Sequence, residues 1–187
     1  MRLFDLLKMN KDIENSLNEY IHKLEKYKTL KKGQLASVAD DDLKTAVMSR
    51  MQEKFIEKRI DENEVMESLP IPCRYVYACC TVIDEINNGG LTQLFFNTTK
   101  RFVSTAQEGF SVIGDEDLSR IMKEAIRIYE KNEERLAKYN DGTVESFSAS
   151  YKEKLFDEFD NEFVKRAIDF DSLLVCYIRK NENAFGD

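Results

Sequence analysis

Apolar residues recur along most of the chain at spacings of three and four, the repeat of one face of an α-helix. We predict a first helix from Asn10 or Asp12 to Lys31, whose apolar stripe is Ile13, Leu17, Tyr20, Ile21, Leu24 and Tyr27. A second stripe follows three aspartates at positions 40–42, which suit a helix N-terminus. Its members are Leu43, Ala46, Val47, Met51, Phe55 and Ile56.

The middle of the chain predicts a buried central helix. After a short helix around Glu62–Ser68, Pro72 can occupy the first turn of a helix that runs to about Asn87 and is apolar on more than one face. Further helices are predicted to end at Gly114, to begin at residues 115–117, and to cover 151–168 and 171–179.

Composition agrees with this pattern. Seven Gly and two Pro in 187 residues are few for a chain of short strands, which needs turn residues. The sequence therefore predicts an all-α fold, a single compact multi-helix domain of about seven to nine helices. Residues 1–68 are predicted to form an N-terminal helical region that packs on or extends a helical core at 69–187.

Residues 84–97 interrupt the helical pattern and read Asp-Glu-Ile-Asn-Asn-Gly-Gly-Leu-Thr-Gln-Leu-Phe-Phe-Asn. Gly89 and Gly90 allow positive φ values, so one helix can end sharply and a short one can begin. Gln93 and Asn97 lie four residues apart, and we expect their amides to reach unpaired carbonyls of the turn. This stretch is interpreted as a structural corner. The alternative is the recognition edge of an enzyme or small-molecule binder, made of the amides Asn87, Asn88, Gln93 and Asn97.

The net charge is −7, from 28 basic and 35 acidic residues. The part from Pro70 onward carries 15 basic and 21 acidic residues, so the acidity concentrates there. Direct nucleic-acid binding is disfavoured because it needs a basic patch, and a basic protein is the expected partner. The candidate acidic face is Glu153, Asp157, Glu158, Asp160 and Glu162.

On a helix covering 151–168, Glu153, Asp157 and Asp160 would share one face, with carboxylates about 5 to 6 Å apart along the axis. Such a strip could imitate a row of DNA phosphates toward a basic protein. The alternative interpretation is an ordinary solvated helix face.

The sequence contains no recognisable set of catalytic residues and no cofactor-binding motif. His22 is the only histidine, no Ser-His-Asp or Cys-His set is indicated, and Gly89-Gly90 lacks the spacing of a phosphate-binding loop. The four cysteines have no C-x-x-C spacing. Charges interrupt the apolar run at the N-terminus and every helical segment. We therefore expect a cytoplasmic protein without membrane segment, metal, cofactor or enzymatic activity.

Several motifs together resemble a known family. They are Leu69-Pro70, the segment Glu85, Asn87, Asn88, Gly89, Gly90, Gln93, Phe95 and Asn97, then Ile113-Gly114, residues 155–160 with Phe163, residues 177–179, and Phe185. They resemble the signature of a bacterial family of small helical proteins that includes the DNA-mimic proteins. Most of its members are classed as a domain of unknown function.

This resemblance implies an all-helical fold without enzymatic activity. In the DNA-mimic members it also implies a homodimer whose acidic surface occupies a DNA-binding protein. Two further hypotheses are an immunity or antitoxin-like inhibitor of one toxin, and an enzyme or small-molecule binder that uses the corner at Asn87–Gly90.

Overall fold

The computed structural model describes residues 3–31, 33–58 and 62–185, without the side chains of 3–13, 54–58, 62, 63 and 65. Within these ranges the chain forms nine α-helices and four short 3-10 helices, and it has no β-strand. The predicted all-α class and number of helices are therefore confirmed. No helix in the described ranges is long and apolar enough to cross a membrane.

The α-helices are α1 Leu3–Lys28, α2 Asp40–Lys58, α3 Glu62–Ser68, α4 Ile71–Phe96, α5 Val103–Ile113, α6 Glu116–Ala137, α7 Val144–Ser150, α8 Asp157–Ala167 and α9 Phe170–Lys180. The 3-10 helices are Leu35–Ser37, Thr98–Phe102, Tyr151–Glu153 and Glu182–Phe185. Contacts divide the chain into two compact units. The first contains residues up to Leu69 together with those from Asn181 onward, and the second is Pro70–Lys180. The boundary predicted between 68 and 69 stays a prediction.

In the first unit, the end of α1 is held against α2 by Asp42. The Tyr27 hydroxyl donates to Asp42 Oδ2 at 2.9 Å, and Lys23 Nζ lies 2.7 Å from Oδ1. The bond from Lys23, followed by that from Tyr27, lowers the pKa of Asp42. Tyr27 is only 3% exposed, so this end of α1 is anchored, whereas residues 14–23 are exposed.

In the second unit, α4 forms the centre, as predicted. Thirteen of its residues are buried, from Cys73 to Phe95. One aromatic cluster joins three helices, since Phe110 of α5 contacts Phe163 of α8 and Phe170 of α9 edge to face. A second cluster surrounds Phe95 of α4, which stacks on Tyr129 and Phe156.

Asp115 connects α6 to α8 and is fully buried. It is the N-cap of α6, where its Oδ1 accepts the Leu118 N–H at 3.0 Å. It also accepts from Arg166 Nε, which lies 3.0 Å from each carboxylate oxygen. The predicted helix start at residues 115–117 is thus present, but the sequence did not indicate the partner 51 residues away.

The predicted helix over 151–168 is wrong. A 3-10 turn at Tyr151–Glu153 ends at Lys154, whose φ is +49°, and α8 begins only at Asp157. The apolar spacing continues across this break because Phe156, outside the helix, is buried against Phe95. The prediction also missed α7, which begins after Thr143, a cap that accepts the Ser146 N–H.

Candidate functional site

The stretch at 84–97 forms a corner inside α4. Helical geometry is interrupted at Gly89 (φ −158°, ψ 23°) and Gly90 (φ 73°, ψ −177°), and the helix then resumes to Phe96. A sharp stop followed by a short helix is what the sequence predicted. The sequence predicted a positive φ at both glycines, but only Gly90 has one. A glycine at position 89 therefore serves a different purpose.

The side chains explain the requirement at Gly89. A Cβ built there would lie 2.1 Å from Gln93 Oε1 and 2.9 Å from Gln93 Cβ. The glycine therefore leaves space for the Gln93 side chain to lie across the bend. At Gly90, a Cβ would lie 2.8 Å from Asp160 Oδ2, so this position combines a left-handed backbone with close approach of α8.

The carboxylate of Glu85 accepts hydrogen bonds from three polar side chains of the corner. Its Oε1 accepts from Gln93 Nε2 and from Asn97 Nδ2, both at 2.6 Å. Its Oε2 accepts from the Thr99 hydroxyl at 3.2 Å. The two amides face one side, as predicted, but they bind this carboxylate and not the backbone carbonyls of the turn. The kink is what brings residues 85, 93, 97 and 99 together.

The second half of α4 donates a hydrogen bond from its N-terminus to α8. Asp160 Oδ1 accepts the Leu91 N–H at 2.7 Å, which satisfies one of the free N–H groups that begin a helix. On the other side of the bend, the Tyr151 hydroxyl donates to the Gly89 carbonyl at 2.8 Å. Burial raises the pKa of Asp160, with a smaller contribution from Asp157, while the bond from Leu91 opposes the rise.

Sequence reasoning missed three participants in the corner, which are Thr99, Tyr151 and Asp160. Tyr151 lies 62 residues from its partner Gly89, and no local pattern indicates such a pairing. Thr99 lies two residues after Asn97, where the signature ends, so its hydroxyl was a signal that could have been used.

A groove of about 490 Å³ lies beside the corner. It is lined by Ile86, Gly89, Gly90, Tyr151, Asp160, Asn161, Val164 and Lys165. None of the four amides proposed as a recognition edge lines it. Asn87 and Asn88 are exposed elsewhere on the bend, and the amide nitrogens of Gln93 and Asn97 already donate to Glu85. The geometry supports a structural corner.

The five carboxylates of the predicted acidic face occupy different environments. Glu153 lies outside α8, in the preceding 3-10 turn, so the prediction that it shares a helical face with Asp157 and Asp160 is wrong. Asp160 turns into the corner, and Glu162 pairs with Arg120. Asp157 and Glu158 are exposed and form no ion pair with other described residues.

Glu153 is held by three neighbours. The Tyr139 hydroxyl donates to it at 2.5 Å, Lys138 Nζ lies at 3.0 Å, and Arg135 pairs with it. Hydrogen bonds from Tyr139, Lys138 and Arg135 together lower the pKa of Glu153 to about 2. This carboxylate therefore fastens the segment before α8 to the end of α6, and its charge is balanced within the chain.

The described residues form no metal site, and the thiol of Cys79 is held inside the core. No three His, Cys, Asp or Glu side chains in those ranges come together as metal ligands. Cys79 is fully buried and hydrogen-bonded to the Ala106 carbonyl, and burial raises the pKa of its thiol well above the usual value. A thiol in that state is a poor nucleophile.

Comparison with known proteins gives a match to one family. Residues 67–181 match the model of a family described as DMP19-like protein. The match contains the corner, the acidic turn of α8 and the whole second unit. It confirms, at the level of the family, the resemblance predicted from the signature residues. No match is found among the curated proteins.

Proposed function

Because this chain belongs to the DMP19-like protein family, we propose that it is a non-enzymatic cytoplasmic module that binds a basic protein, of the kind that itself binds DNA. The family match over more than half of the chain carries this proposal. The corner supports it indirectly, since the amides of Gln93 and Asn97 and the carboxylates of Glu85 and Asp160 hold the fold. The binding function then belongs to the surface of the surrounding helices.

The first turn of α8 is the part of that surface best suited to a cationic partner. Asp157 and Glu158 are exposed there, and Asp160 lies in the same turn. Lys165 and Arg166 lie in the last turn, so the charge of the helix is divided between its two ends. This arrangement favours a compact acidic patch, defined as Asp157 and Glu158, over a long row of phosphate-like charges.

Binding through this patch implies a specific dependence on charge. Carboxylates that meet a basic surface speed association and lose part of their effect as salt screens them. The carboxylates of Glu153 and Glu162 contribute less, because each is already paired with an arginine. The patch therefore differs from Glu153 and Glu162 in having charge available to a partner.

The test begins with affinity capture from a native lysate, followed by binding measurements with each purified partner. We expect a basic DNA-binding protein whose binding is weakened by salt and competed by duplex DNA. The double variant Asp157→Asn with Glu158→Gln should bind more weakly. A matched control, Glu130→Gln with Glu134→Gln, removes two exposed carboxylates from α6 and should bind like the wild type.

Three outcomes would overturn the proposal. Captured partners without a basic surface would exclude recognition by charge. Simultaneous binding of DNA and this protein to one partner would exclude competition for the DNA site. Equal weakening by the patch and control variants would remove the assignment to α8.

A further inference from the structure

The groove beside the corner combines apolar walls with one half-buried carboxylate. Ile86 of α4 and Val164 of α8 are aliphatic lining residues, and Tyr151, which is 39% exposed, adds an aromatic one. The carboxylate is that of Asp160. At about 490 Å³, the groove falls within the range of about 300 to 1,000 Å³ that is usual for ligand-binding clefts.

One carboxylate oxygen of Asp160 is available to a ligand. Its Oδ1 accepts the Leu91 N–H at 2.7 Å, whereas no residue in the described ranges donates a hydrogen bond to Oδ2 or forms an ion pair with it. Burial accordingly raises the pKa of Asp160. A half-buried carboxylate in this state bears a cost of desolvation that a cation in the groove would offset.

The charges around the groove favour a cation. Among the groups that line it or shift the pKa of a lining residue, Asp157 lies one turn before Asp160 and raises the pKa of that carboxyl after burial does. Burial, followed by the charges of Asp160 and Glu85, raises the pKa of Tyr151. Lys165 lines the groove with the opposite charge. Three carboxylates against one lysine leave a negative potential there.

We propose that this groove receives an arginine side chain of the basic partner protein. The proposal rests on the function proposed above and names one contact that holds the partner. The guanidinium donates to Asp160 Oδ2 and lies against the ring of Tyr151, while the aliphatic stem packs on Ile86 and Val164. Arginine is favoured over lysine because its planar head carries several donors, stacks on aromatic rings and is less strongly hydrated.

The groove continues the acidic patch of α8, because Asp157, Glu158 and Asp160 occupy the same first turn. Exposed carboxylates attract a basic surface from a distance and increase the association rate. A half-buried carboxylate in a groove acts on one side chain by contact, so its loss increases the dissociation rate. Arginine in a partly desolvated groove is a usual anchor of a protein interface.

The first test uses N-acetyl-arginine amide as a probe, titrated into the isotope-labelled full chain and followed by NMR. It should shift the backbone resonances of the groove. N-acetyl-citrulline amide, which has the same shape without the charge, should bind at least about tenfold more weakly, and the lysine analogue should also bind more weakly. Asp160→Asn should weaken binding of the probe by at least about tenfold. The control Glu130→Gln removes an exposed carboxylate of α6 and should bind the probe like the wild type.

Two further sets of variants test the other walls of the groove. Tyr151→Phe and Tyr151→Leu both remove the hydroxyl that donates to the Gly89 carbonyl, and only the leucine variant removes the ring. Tyr151→Leu should therefore bind the probe more weakly than Tyr151→Phe. Lys165→Gln removes a competing positive charge from the lining and should bind the probe more tightly than the wild type.

The pKa of Asp160 provides a second readout, which a purely structural role of this residue would not change. A bound guanidinium favours the ionised carboxylate, so the arginine probe should lower the pKa of Asp160 and the citrulline analogue should not. The carboxyl carbon resonance of Asp160, followed against pH, measures it.

Several results would overturn the proposal. They are equal binding of the arginine and citrulline analogues, equal binding by Asp160→Asn and Glu130→Gln, tighter binding of the lysine analogue, and resonance shifts confined to other parts of the chain. Because the probe is independent of any partner, these failures leave recognition through the acidic patch standing. A groove that binds the probe, combined with captured partners that lack a basic surface, would overturn the proposed function and the assignment of the arginine to a basic partner.

Discussion

Asp115 and Arg166 form the principal electrostatic link between α6 and α8. The carboxylate is fully buried, whereas the guanidinium side chain is 38% exposed and donates from Nε to both carboxylate oxygens. The same carboxylate caps α6 through Leu118. One side chain therefore supports a helix start and a contact between two helices.

Asp115→Ala removes both interactions, and we expect it to lower the free energy of unfolding by about 2 to 3 kcal/mol, since a cap contributes about 1 kcal/mol and the pair adds to it. Asp115→Asn keeps an oxygen for the Leu118 N–H and should lose less. Urea unfolding of both variants measures the difference. Equal losses would show that the pair with Arg166 carries the whole effect and that the cap adds nothing.

Gly89 and Gly90 should respond differently to alanine. Gly90→Ala places a side chain at φ 73°, at a cost of about 1 to 2 kcal/mol before any contact with Asp160 is counted. Gly89→Ala should destabilise through collision with Gln93. In a double-mutant cycle, Gln93→Ala should relieve part of the loss caused by Gly89→Ala and none of the loss caused by Gly90→Ala. Additive losses in both cycles would contradict this account.

Asp160 provides a prediction on pH. Since its pKa is raised in the folded protein, the folded state binds a proton more readily than the unfolded state. The stability contributed by the protonated group is present below the ordinary pKa and is lost as pH rises through the folded pKa.

Asp160→Asn keeps an acceptor for the Leu91 N–H and removes the charge. It should be at least as stable as the wild type at neutral pH, and the difference should shrink below the ordinary aspartate pKa. Urea unfolding at both pH values tests this, with the exposed Glu145→Gln as control. A strong loss of stability at neutral pH would mean that the charge itself is needed.

Glu153 should show the opposite dependence. Its pKa is lowered from 4.5 to about 2, so its stabilising effect is present above 4.5 and is lost as pH falls toward 2. Glu153→Gln should therefore be less stable than the wild type at neutral pH, and the two should converge near pH 2. Thermal unfolding across this range checks the prediction. The exposed Glu145→Gln should show no such convergence.

Local chemistry made most of the fold predictable. Apolar periodicity located the long helices, and Gly114, at φ 112°, is the left-handed cap expected after α5. The prediction failed where a buried residue lies outside a helix. Phe156 continues the apolar spacing but belongs to an irregular segment, so its periodicity was mistaken for helix.

The corner was predicted in position but not in partners. Gln93 and Asn97 were expected to face one side, and they do, yet the acceptor is a carboxylate brought close only by the kink. The acidic face failed for a similar reason. Two carboxylates of this face are neutralised by Arg120 and Arg135, which belong to a helix distant in sequence. No local spacing contains that information.

The contacts of the corner also have a consequence for the order of folding. The bonds that Glu85 makes span 8 to 14 residues, so they close short loops at little entropic cost. The bond between Asp160 and Leu91 spans 69 residues, and that between Arg166 and Asp115 spans 51. We therefore expect the bend to form early from its own segment and to provide a template on which α8 docks later.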